Sequence, residues 1–186
     1  VYLARLIGNG HHVAIAEQVG LVARNGLVPR EIVRVLTPGT SPDDAQMTVA
    51  ELSAAVEVAV AHGRHVAAHA HGASGMKNAL RAGVHSIEHA TLMDDDAAEM
   101  MTQRHVYMVP TLSALATTAA CPTGCGIPDS ARSKARNMVK QHEKSFRAAV
   151  RRGVPIAMGT DAGTPFNFHG ENAQEFALMV KAGFTP

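Results

Sequence analysis

Three short apolar runs constrain this chain more than anything else in it, because each ends in a side chain able to hold a metal ion or move a proton. They are His65-Val-Ala-Ala-His69-Ala-His71-Gly72, Ser86-Ile-Glu-His89 and, much later, Gly159-Thr-Asp161-Ala-Gly163. Each is the length of a buried strand, and its chemistry sits at the exit. A helix, a glycine, a short strand and a polar tip recur around them, with strands centred near residues 34, 67, 87, 108 and 156. Successive β/α units of this kind predict an α/β fold with a parallel sheet. In barrels built this way the site lies at the C-terminal rim, where residues from distant segments converge.

Local signals place the elements. Thr48 and Glu51 form a capping box before Val49, Leu52, Val56, Ala59 and Val60, so residues 48–62 read as an amphipathic helix stopped by Gly63. In the strand that follows, period two puts His65, Ala67, His69 and His71 on one face. A lone strand histidine is ordinarily a hydrogen-bonded core or surface residue. Two at one exit, with more at other exits, form a candidate ligand set.

Residues 73–82 make a helix closed by Gly83, 84–89 a strand, and 94–104 a helix whose three leading aspartates suit its dipole. A strand at 106–109 ends before Pro110. Residues 130–152 form a long helix with a solvated basic face, 154–158 the last strand, and 171–182 a closing helix. Near the start, Val13, Ala16, Val19 and Ala23 at helical spacing predict a helix over 12–25. The adjacent His11 and His12 read as surface residues, since neighbours on an extended chain point to opposite faces.

Glu31 to Thr37 is β-branched and reads as a strand. A charge within it needs a partner or a site, so Arg34 either lines a cavity or reaches the rim in a salt bridge. Asp161 is the leading catalytic candidate, because flanking glycines let the backbone crowd a ligand. Its ordinary alternative is a turn-capping aspartate.

Composition narrows the partners. With 17 basic against 16 acidic residues and no run of either sign, the chain carries no nucleic-acid stripe and no membrane-binding face. Aromatics are 4% and Trp is absent, which argues against a base-stacking platform and leaves small molecules as substrates. Cys121 and Cys125 lack the second pair a structural zinc site needs and read as free thiols in a surface loop, in keeping with a reducing cytoplasm. The start at Val1, without a charged or apolar leader, reads as an internal fragment.

His-Ala-His-Gly at 69–72, Ser-Ile-Glu-His at 86–89, Gly-Thr-Asp-Ala-Gly at 159–163 and His-Gly-Glu-Asn at 169–172 together resemble the amidohydrolase superfamily of metal-dependent TIM-barrel hydrolases. The likeness is nearest to the imidazolonepropionase-like and Xaa-Pro dipeptidase-like branch. It implies a single partial domain over residues 1–186, about strands four to eight of a (β/α)8 TIM barrel. It also implies Zn²⁺, one or two ions in the intact enzyme, held by His69, His89 and Asp161. Asp161 would shuttle the proton of a metal-activated water, and His89 would hold the ion or polarise the scissile carbonyl. His71 falls where peptidase members contact substrate with a tyrosine, and His169 and Arg34 join it as substrate-binding residues. The expected substrate is small or dipeptide-like, with a carbon–nitrogen bond to cleave.

Two departures accompany the resemblance. The first-strand His-X-His pair is absent, and Arg34 stands where binuclear members carry a carboxylated lysine; a guanidinium cannot be carbamylated. The alternatives are a cyclic-amide hydrolase or deaminase of the same fold, and a non-catalytic barrel that has lost its metal bridge. A partial barrel also leaves two unpaired sheet edges, so a homo-oligomer is compatible with it, and the isolated fragment is expected to be aggregated or molten.

Overall fold

The computed structural model describes residues 45–185 together with the backbone of two strands at 13–18 and 30–36. Among the described residues one five-stranded sheet runs in chain order: β1 (Val13–Gln18), β2 (Arg30–Leu36), β3 (Ala67–Gly72), β4 (Ser86–Leu92) and β5 (Tyr107–Val109). From β2 to β5 every pairing is parallel, as the β/α reading requires. Among the described residues six helices accompany the sheet: α1 (Val49–Ala61), α2 (Ala73–Ala82), α3 (Asp95–Arg104), α4 (Leu112–Ala120), α5 (Asp129–Arg151) and α6 (Gln174–Lys181). The architecture is a parallel α/β arrangement of the partial-barrel kind.

The helix expected over 12–25 is corrected at its start: Val13–Gln18 is a strand, antiparallel to β2. Val13 and Ile15 are β-branched and also fit period two, so an available neighbouring strand decides between the readings. Arg34 lies on β2 opposite Ile15, and its side chain, like His11 and His12, falls outside the described residues.

Caps set the helix starts. Thr48 Oγ1 accepts from Glu51 N at 3.3 Å while Thr48 N donates to Glu51 Oε2 at 2.8 Å, the predicted box. Asp94 caps α3 by accepting from Ala97 N at 2.9 Å and meets Lys77 Nζ at 2.8 Å. Partial burial alone would raise the Asp94 carboxyl, but the lysine and the backbone N–H outweigh it and hold the pKa below its usual value near 3.8. Its stabilisation is therefore present above pH ~3.8 and is lost as pH falls through the lowered value. Asp94→Ala should cost about 1 kcal/mol at neutral pH, with the gap to wild type closing below pH ~3.8; acid and neutral melts of both forms check this.

Sheet and helices bury a core that includes Phe146, Met76, Leu80, Ile87, Met101, Met108 and Met179. The strand expected at 154–158 is reduced to one parallel bridge between Met108 and Ile156, closed by Met108 N to Pro155 O and Ala157 N to Met108 O, each 2.9 Å. β5 itself is only three residues long, so little edge is offered to pair with. Close approach then depends on Gly159, where an added Cβ would collide with Val109 Cγ1. A valine methyl cannot swing aside easily. Gly159→Ala should cost about 1–3 kcal/mol and move the turn that carries Asp161; thermal melting of the full-length protein measures it.

The free-thiol reading is also corrected. Cys121 and Cys125 are disulfide-bonded, because the turn through Pro122 and Gly124 brings their Cα atoms to 6.2 Å. The ground for a reducing compartment is thereby removed. Among the described residues no helix is long and apolar enough to cross a membrane.

Candidate active site

On β3 burial alternates strictly. Ala68, Ala70 and Gly72 are buried, while His69 and His71 sit half-buried on the opposite face. The two histidines therefore look the same way, as period two predicts.

β4 needs a different explanation. Its register sets His69 beside Glu88 and Ala70 beside His89, so regular pleating would send the His89 ring to the wrong side. The pleat breaks there instead: His89 and Ala90 take left-handed φ values of 71° and 50°, and the pairing skips between Ala70 and Gly72. Such backbone costs of order 1–3 kcal/mol per residue and persists only where its surroundings hold it.

α5 supplies that hold. His142 Nε2 lies 2.8 Å from His89 O, and Ser145 Oγ donates to Thr91 O at 2.9 Å. Burial drives the His142 pKa down to about 4, against the raising pull of the His89 and Pro110 carbonyls, so it stands neutral at physiological pH.

The result is a cluster. His89 Nε2 is 2.9 Å from His69 Nδ1, and the His71 ring stacks on His89 with centroids 4.7 Å apart. Among the described residues, His69, His71 and His89 form the one group of three whose ligand atoms all lie within 4.8 Å of one another. Two nitrogens each about 2.1 Å from one tetrahedral ion would stand ~3.4 Å apart, so the 2.9 Å pair of His69 and His89 need open by only about half an ångström to hold one. Outer partners are in place as well: His71 Nδ1 is 2.8 Å from Thr91 Oγ1, and His89 Nδ1 is 2.6 Å from Thr111 Oγ1. Metal-binding histidines ordinarily give their second nitrogen to such a group, which fixes tautomer and ring angle. The donor set thus fits a divalent ion such as zinc.

Asp161 stands outside that set, half-buried, on a turn with its own φ at 54°. The turn is locked from behind. Thr164 Oγ1 donates to Asp161 O at 3.0 Å, and the buried Asn167 donates Nδ2 to Thr160 O at 2.6 Å. The exposed His169 lies over the same turn, its Nε2 3.4 Å from where a Gly163 Cβ would be. The cavity lined by His65, His85, Ser86 and Tyr107 lies elsewhere and includes none of these residues.

Four residues missed by the sequence reading shape this site. His142 and Ser145 fall on the stripe of α5 that also carries Ala135, Phe146 and Ala149, so two polar residues on an apolar face were the available signal. Thr91 and Thr111 gave none, since a threonine beside a strand end is ordinary.

Known proteins resemble this chain in sequence and in fold. The amidohydrolase family profile matches residues 24–186. A second profile, MutS domain I, matches residues 1–45 and covers too little of the chain to place it in that family. Ochratoxinase of Aspergillus niger is 30% identical over 172 residues, 92% of this chain and 33% of that protein. Its crystal structure superposes with TM-score 0.68 at 32% identity, covering 78% of this chain and 32% of the other. An Xaa-Pro dipeptidase with methionine bound in its active site gives 0.70 at 43% identity, covering 76% and 35%. The chain thus spans about a third of the length of these relatives. From a profile match over nearly all its residues, together with this shared fold, the chain belongs to the amidohydrolase family.

Proposed function

We propose that the full-length protein is a metal-dependent hydrolase of amide or peptide bonds in small, dipeptide-like substrates. This chain supplies its metal-holding histidines and its proton-transfer carboxylate. The convergence of His69, His71 and His89 at two strand exits carries the reading. Relatives that are a dipeptidase and an ochratoxinase support the bond type.

Three imidazole nitrogens with an open position suit catalytic zinc, which when bound would acidify water and polarise a carbonyl. Thr91 and Thr111 orient the rings of His71 and His89 for ligation. Asp161, expected both as ligand and as shuttle, is assigned the shuttle here: it takes the proton of the attacking water and returns it to the departing amine. His169 sits above the same turn, where it can meet substrate. Arg34 is kept as a substrate-binding candidate on its sequence position alone, and because a guanidinium cannot form the carbamate bridge, one ion rather than a bridged pair is expected.

The test is hydrolysis of Xaa-Pro dipeptides, other dipeptides and N-acyl amino acids by the full-length protein, before and after chelation and zinc return. Turnover that disappears with the metal and returns with it is the expected result. A zinc-loaded protein that cleaves none of these amides would overturn the reading.

A further inference from the structure

A buried carboxylate that the proposed chemistry leaves unused ties the strained turns of the site to one another. Glu175 on α6 is fully buried. Its Oε1 accepts from Leu112 N at 2.7 Å and its Oε2 from Ser113 N at 2.8 Å, the first two N–H groups of α4. A helix start ordinarily satisfies such groups with the side chain of its own N-cap. Here the N-cap is Thr111, well suited to that task, yet its side chain makes no capping hydrogen bond. Its hydroxyl lies 2.6 Å from His89 Nδ1 instead, reached with a left-handed φ of 51°. On the other side Ser113 Oγ donates at 3.1 Å to Thr160 O, the carbonyl just before Asp161.

We infer that Glu175 is a positioning residue of the metal site: by capping α4 in place of Thr111 it frees the Thr111 hydroxyl to orient His89, and it holds Ser113 against the turn of Asp161. The inference rests on the proposed role of His89 as a metal ligand. An outer partner of a ligand typically controls affinity by about 10–100-fold. Glu175→Gln keeps the shape and one acceptor but turns an amide donor toward the other backbone N–H, so one of the two capping hydrogen bonds is lost and the threonine hydroxyl is drawn back to the orphaned N–H.

The experiment measures zinc affinity of the full-length protein by chelator competition, at a temperature where circular dichroism shows every variant folded. Glu175→Gln and Thr111→Val should each weaken zinc binding about 10–100-fold, and Thr111→Ser, which keeps the hydroxyl, should restore it to within a few-fold of wild type. Asp94→Ala, which weakens the cap of α3 and leaves Thr111 and the cap of α4 intact, should leave affinity unchanged and so exclude a general stability effect. If Glu175→Gln fails to fold, the Thr111→Val and Thr111→Ser pair still reads the link. Zinc affinity within twofold of wild type in the folded Thr111→Val or Glu175→Gln protein would overturn the inference. A wild type whose zinc affinity is indifferent to His89→Ala would instead overturn the metal assignment, and this inference with it.

Discussion

Asp161→Asn in the full-length enzyme should lower turnover by about 10²–10⁴-fold while zinc content stays at the wild-type level, the span ordinarily contributed by a positioned general acid–base. Asparagine keeps the volume and one acceptor oxygen but has no basicity. The turn should survive the change, because its lock uses the Asp161 carbonyl with Thr164 and the Thr160 carbonyl with Asn167. Steady-state kinetics with metal analysis on one preparation separates the roles. Loss of zinc along with activity would make Asp161 a ligand, and near-normal kcat would remove it from the chemistry.

The second large effect concerns the histidines. His69→Ala and His71→Phe should each lower zinc affinity by more than the about 10–100-fold expected for loss of an outer partner, with activity partly recovered in excess zinc. The two variants are not redundant. His71 fell at a substrate position by resemblance, but the structure brings its ligand atom within 4.8 Å of those of His69 and His89. A His71→Phe protein that keeps its zinc and changes only KM or substrate preference would return His71 to the substrate.

What could be read from the sequence was whatever has a local cause. The box at Thr48 and Glu51 and the glycine closing α2 mark helix ends by short-range chemistry, and both appear where expected. The shared face of His69 and His71 follows from strand periodicity alone. Features set by distant partners were not legible. α4 went unassigned because its start is capped by Glu175, more than sixty residues away, while its own N-cap is spent on His89. The orientation of His89 depends on a broken pleat held by His142, fifty-three residues on. The disulfide depended on how a loop folds back, and the strand character of Val13–Gln18 on a partner strand.

The central claim is that His69, His71 and His89 hold one divalent ion, and anomalous diffraction at the zinc edge from crystals of the zinc-loaded full-length protein tests it most directly. The account predicts one peak about 2.0–2.1 Å from a ring nitrogen of each of the three, with the second nitrogens of His71 and His89 still on Thr91 and Thr111. An active, zinc-loaded protein whose ion is ligated without any one of His69, His71 and His89 would contradict it.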